Sequence, residues 1–202
     1  MNKRTFLVRG AALLAAWPVA AVARKKPAAA PPPPVVPGPT LLTMSGAITR
    51  SNRGATDPAQ EPLFARQAIH FDKAWALSFA DLTRMPANEL HATLPFDGKL
   101  HTLRGPYLAQ VLATAGAATR DNTRVVLHGL DGTPVSLSLG GLRQYRFIVA
   151  THMDGQPLAL GGLGPLWAMY AADQFADKTA KPLAERYLDC PWGLYHIEVQ
   201  TG

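Results

Sequence analysis

A single cysteine, Cys190, stands in this 202-residue chain, so no intrachain disulfide can form. Cys190 is read either as a small buried residue or as a reactive or metal-binding thiol, and its neighbours Pro191 and Trp192 do not make an electropositive activating site. The six histidines (70, 91, 101, 128, 152 and 196) include no i, i+4 pair, and none has Cys/His spacing for a metal. There is no Gly-x-Ser-x-Gly nucleophile elbow and no phosphate loop ending in Gly-Lys-Ser/Thr. Hydrolase and metalloenzyme chemistry therefore has no motif to start from. Gly161-Gly162-Leu163-Gly164 can bring backbone N–H groups near an anion, but hairpin geometry is the better reading of a lone Gly-rich turn.

Acidic residues are absent from the first 39 positions, and this decides how the charge is read. The chain carries 20 Lys+Arg against 14 Asp+Glu, for a net charge of +6. Six of the basic side chains (Lys3, Arg4, Arg9, Arg24, Lys25 and Lys26) precede residue 40, so the remainder is balanced. No basic stripe interleaved with aromatics follows, which speaks against a nucleic-acid partner.

The uncharged apolar run Gly10–Ala23 falls short of the roughly 20 residues that span a bilayer core. It follows the basic stretch NKRTFLVR and ends in Ala21-Val22-Ala23. These are the parts of a cleavable export signal over residues 1–23, so the expected location is the periplasm, with no stable membrane anchor after cleavage. Trp17-Pro18 argues against a core helix there. Lys3-Arg4-Thr5-Phe6-Leu7 resembles the twin-arginine signature with Lys in the first position, while an ordinary secretory signal fits as well. Residues 24–39 (RKKPAAAPPPPVVPGP) read as a polyproline II linker, and residues 40–202 as one domain.

Within that domain the periodicity predicts many short strands and few helices. Strands are expected at Leu41–Thr49 (ending near Gly46), Ala68–Phe71, Trp75–Phe79, Glu89–Leu94, Lys99–Leu103, Arg124–His128, Pro134–Leu139, Phe147–Met153, Pro165–Ala171 and Gly193–Gln200. Asp81 is expected to cap a turn over Asp81–Met85, and Pro106–Ala115 a helix closed by Gly116. Gly140–Tyr145 reads as a helical turn, Gln174–Leu188 as a broken helix, and Arg50–Arg66 as a long polar segment suited to a lid. The fold class is α+β, mainly β, with a mixed sheet and a few short helices.

The order of segments carries a resemblance that no single motif does. Leu103-Arg104-Gly105-Pro106-Tyr107-Leu108, with Val111-Leu112 and Ala115-Gly116 after it, resembles the strand, Gly-x-Pro-Leu, helix, Ala-Gly unit of sulfite-oxidase-type molybdopterin-binding domains. Leu130-Asp131-Gly132, Val149-Ala150, Asp154-Gly155-Gln156-Pro157-Leu158 and Gly164-Pro165-Leu166 are similar to that family's later motifs, in the same order, across residues 41–202. The match is closest to its short exported members. The resemblance implies that family's mixed α+β fold.

It also implies a cofactor site that this chain departs from. The family holds molybdenum on a cysteine thiolate in mid-domain, where this chain has none. The family's phosphate-binding arginine corresponds to Trp167, and its Lys-Trp pair to Gly193-Leu194. An indole offers one N–H and no charge for a phosphate dianion. The resemblance thus implies a degenerate, non-redox member that binds a small-molecule ligand or a periplasmic protein and needs no cofactor. His152, Trp167 and Tyr170 would then line the former cofactor groove, with Trp167 and Tyr170 as plain core the other possibility. Arg50, together with Arg53 and Arg66, would offer anion contacts from the lid. The alternative is a molybdopterin-dependent oxidoreductase holding its cofactor in a non-standard way, with Cys190 folded into the site.

Overall fold

In a computed structural model, which describes residues 38–201, the alternation of Leu42 and Met44 with Thr43 and Ser45 makes strand β1, Thr40–Gly46. Side chains on a strand alternate between faces, so the two sets point opposite ways. Strand β2 is Trp75–Ser78, β5 Arg124–His128, β6 Pro134–Ser138 and β11 His196–Gln200. These five form a mixed sheet in the order β2-β1-β11-β5-β6, with only β1 and β11 parallel. Register aligns Thr43 with His196 and His196 with His128, so these share one face. Leu42, Met44, Val125, Leu127, Ile197 and Val199 face the other way, into the main core.

A second sheet runs β3-β4-β8-β9, from Asn88–Thr93, Leu100–Gly105, His152–Met153 and Gln156–Pro157. The remaining strands, β7 (Ile148–Ala150) and β10 (Trp167–Met169), pair with each other. Helix α3, Leu108–Thr114, turns Leu108, Val111 and Leu112 into the core between these layers, as their spacing requires. Gly116, at φ 65°, closes it in the left-handed conformation. Gly105 is required for another reason: a Cβ there would collide with the Val149 carbonyl. The short helices α1 (Pro62–Arg66), α2 (Phe79–Arg84), α4 (Leu139–Gln144) and α5 (Ala176–Thr179) complete the elements.

The class is α+β and mainly strand, as the periodicity predicts. Several local expectations change. Ala68–Phe71 is not a strand, because Ala68 takes φ 53° directly after α1. The cap of α2 is Ser78 and not Asp81: Ser78 Oγ accepts from Asp81 N, and Ser78 N donates to Asp81 Oδ2 at 2.9 Å, a capping box. Helix α3 starts two residues late because Pro106 O is held by Val149 N at 2.9 Å, in strand pairing. Phe147–Met153 splits between two sheets, and the Asp154-Gly155 turn joins β8 to β9 instead of β7 to β10. The expected export signal and residues 24–37 of the linker lie outside the described residues.

Candidate functional site: a strap over a polar sheet face

The segment Arg50–Phe71 lies as a strap held at defined points. The Asn52 side chain donates to Ala76 O at 2.8 Å and accepts from Ala76 N at 2.6 Å. Arg53 and Ala74 exchange backbone hydrogen bonds. The Arg53 guanidinium grips both oxygens of Glu61 at 2.6 and 2.7 Å, and lies 5.0 Å from the centre of the Phe71 ring. Gln67 Oε1 accepts from the Tyr195 hydroxyl at 2.7 Å. Both contacts come from the one nitrogen, Nη2, and a charge-assisted pair of this kind is short and strong.

Beneath the strap lies the outward face of the five-stranded sheet, with Thr43, Ser45, His128 and His196 all buried. His196 is 1 % exposed. Its Nε2 is hydrogen-bonded to Ser45 Oγ at 2.9 Å, while its Nδ1 has no partner. His128 Nε2 is likewise buried without a partner, and the two imidazole centres are 5.0 Å apart. Phe71 stacks on His196 at 5.9 Å, and Phe64 meets it edge-on at 5.6 Å. Burial, then the neighbouring His128 and the Arg53 cation, push the His196 pKa down to about 3. Burial also lowers that of His128, opposed by the Glu198 carboxylate. Ser45 reaches a surface cleft of about 430 Å³ shared with Gly46, His70, Phe71, Asp72, Lys73 and Glu198.

Both rings are therefore neutral near pH 7. Ser45 and His196 have the contact of a nucleophile and its base, but a base so weakly basic cannot take the hydroxyl proton efficiently. Nor does any group orient Nδ1. The arrangement is suited to donating lone pairs, not to acyl transfer. Sequence reasoning missed this site. The period-two pattern in β1, β5 and β11 does put Thr43, Ser45, His128 and His196 on one face, but nothing in it says that this face is covered.

The residues expected at a cofactor groove stand elsewhere. Trp167 is 1 % exposed and donates its indole N–H to Cys190 O at 2.9 Å. Tyr170 is fully buried, donates its hydroxyl to Arg186 O, and has its pKa pushed up by burial. Cys190 lies beside Tyr170, and burial raises its thiol well above the ordinary value. His152, half-buried, bonds Thr151 Oγ1 through Nδ1 at 2.8 Å and packs on Phe79. Arg50 is exposed and reaches Thr114 O at the end of α3, Arg53 is engaged by Glu61, and Arg66 ends α1. The structure thus brings Trp167, Tyr170 and Cys190 together as packed core, and puts His152 and Arg50 at other places. Two partly or largely exposed aromatics lie next to Trp167. Phe96, 64 % exposed, lies 6.2 Å from it ring to ring. Trp192, 38 % exposed, is bridged to it through the backbone, and Leu160, 73 % exposed, is bridged to Gly164.

No protein-family model matches the chain, and no curated protein matches it. Among solved structures, the chain is similar to the sulfane dehydrogenase SoxCD from Paracoccus pantotrophus, with a TM-score of 0.50 and 12% sequence identity. The similarity covers 79% of this chain and 37% of that one, so the chain spans little more than a third of its neighbour's length. The likeness concerns the fold, which is of the sulfite-oxidase type: α+β, mainly strand, with a mixed sheet.

That fold type implies molybdopterin, and the residues present do not fit it. A metal-binding cysteine must be a thiolate, whereas burial keeps Cys190 protonated. A pterin phosphate needs charged or paired donors, whereas the single N–H of Trp167 is taken by the Cys190 carbonyl.

Proposed function

We propose that this chain is an exported, non-redox binding module on a sulfite-oxidase-type scaffold, acting in the periplasm without molybdopterin. One observation carries the reading: the position matched to the family's phosphate arginine is Trp167, sealed in the core and bonded to Cys190. Next to it, Phe96 and Trp192 keep apolar surface exposed. Exposed apolar clusters on a folded domain mark contact surfaces. A periplasmic protein, or a small apolar ligand shared with one, is the occupant that such a rim favours. Export rests on the sequence of residues 1–23 alone.

The test is the metal and pterin content of the full chain purified from its own host's exported fraction, by elemental mass spectrometry and pterin fluorescence. Folded protein free of both supports the binding module. Near-stoichiometric molybdenum with pterin overturns it, and leaves an oxidoreductase holding its cofactor in a non-standard way. Loss of that metal on Cys190→Ser would then put the thiol in the site.

A further inference from the structure

We infer that His128 and His196, juxtaposed on the outward face of the five-stranded sheet, form a binding site for a divalent first-row transition-metal ion such as zinc. Each ring presents one buried nitrogen with no hydrogen-bond partner, Nε2 of His128 and Nδ1 of His196. Buried polar atoms are paired in nearly all native structures, so two orphans on adjacent, register-matched residues call for a shared explanation. Imidazole nitrogens are the commonest protein ligands of such ions, and both rings are buried. With metal–nitrogen bonds of about 2.0–2.1 Å, two imidazoles on one tetrahedral ion have ring centres about 5 Å apart. The observed separation is 5.0 Å.

His196 also has its second shell in place. A ligating histidine ordinarily gives its other nitrogen to a fixed hydrogen-bond partner, and His196 Nε2 is bonded to Ser45 Oγ. Among the described residues no group of three or more His, Cys, Asp or Glu converges. The protein therefore supplies two ligands, and the remaining positions belong to water or to a small anionic ligand. Imidazole donors suit zinc, copper and nickel, and favour them over magnesium or calcium.

The experiment uses the unaltered full-length chain, stripped with chelator and titrated with Zn²⁺ against a chromophoric competitor. Co²⁺ is titrated in parallel, to read tetrahedral coordination from its visible absorption. The expected result is one equivalent bound, with the ring signals of His128 and His196 shifting together in histidine-selective NMR. His128→Leu is expected to weaken zinc at least tenfold, while His91→Ala, at an exposed histidine, leaves it unchanged. No zinc bound, or zinc bound equally well by His128→Leu, overturns the proposal. Should His128→Leu fail to fold, the NMR shifts of the unaltered protein decide: perturbation of other histidines with these two unmoved overturns it too.

Discussion

The five-stranded sheet buries side chains on both faces, yet the two buried sets are built on opposite chemistry. The inner face, Leu42, Met44, Val125, Leu127, Ile197 and Val199, packs against the main core. Each such side chain contributes about 1.5–3 kcal/mol by leaving water. The buried part of the outer face, Thr43, Ser45, His128 and His196, is covered by a strap whose own buried apolar residues include Phe64 and Ile69. There, each unpartnered nitrogen costs about 1–3 kcal/mol. The difference teaches that burial on this sheet has two causes: the inner face is buried because it is apolar, and the outer face because the strap is tied down over it.

The largest effect expected separates neighbours in β5. Leu127→Ala should lower stability by about 2–5 kcal/mol in denaturant titration, through lost burial and the cavity left behind. His128→Leu, one residue on, should stay within about 1 kcal/mol of the unaltered protein or gain, since a neutral side chain replaces an orphan nitrogen. Equal losses at the two positions would break the comparison. Next comes acid. The folded His196 pKa lies near 3, below the ordinary 6.5, so between those values the unfolded chain binds the extra proton. Stability is then complete above pH 6.5 and falls as the pH drops towards 3, by about 2 kcal/mol at pH 5 at the usual 1.36 kcal/mol per unit. With chelator present, His196→Gln should remove that part of the acid slope. An unchanged slope would show that His196 is not held neutral.

Much of the inner face is legible in sequence, because apolar alternation is what burial on one side of a strand requires. Arg124–His128 is a strand over those very residues, and Leu90, Ala92 and Leu94 are buried as their spacing predicts. Motif order also leads to the fold type, since Gly105 must let β4 approach Val149 and Gly116 must end α3. The outer face is not legible. Its cover depends on Arg53 meeting Glu61 eight residues on, and on Asn52 reaching Ala76, contacts that no local period encodes. For the same reason Trp167, Tyr170, His152 and Arg50 could be named as a group but not located. Chain order says nothing of whether an aromatic lines a groove or fills it.

A smaller effect is expected at the strap. Arg53→Ala should cost about 1 kcal/mol, as expected of a well-aligned, partly exposed ion pair, and speed amide exchange between residues 52 and 71. Arg53→Lys should recover most of the ion pair, because one nitrogen makes both contacts to Glu61, and lose the guanidinium's packing on the Phe71 ring. Unchanged exchange in Arg53→Ala would mean that the strap is held by its backbone and aromatic contacts alone.

The smallest effect lies away from the strap, and carries the opposite sign from His196. His101 bridges two turns, with Nδ1 2.6 Å from Asp154 Oδ2 and Nε2 3.1 Å from Asp97 Oδ2. The Asp154 contact first, and Asp97 with it, raise the His101 pKa above 6.5 despite partial burial. The folded chain therefore binds the extra proton. The stability this clip adds is present in full below pH 6.5 and lost as the pH rises through the raised folded value. Because the group is near the surface, solvent screens it and the slope is shallow. His101→Gln should flatten stability on the alkaline side of neutrality and leave the acid limb of His196 untouched. If the two limbs moved together, the histidines would be coupled, and the outer face of the sheet could no longer be treated as a unit separate from the β3–β4 hairpin.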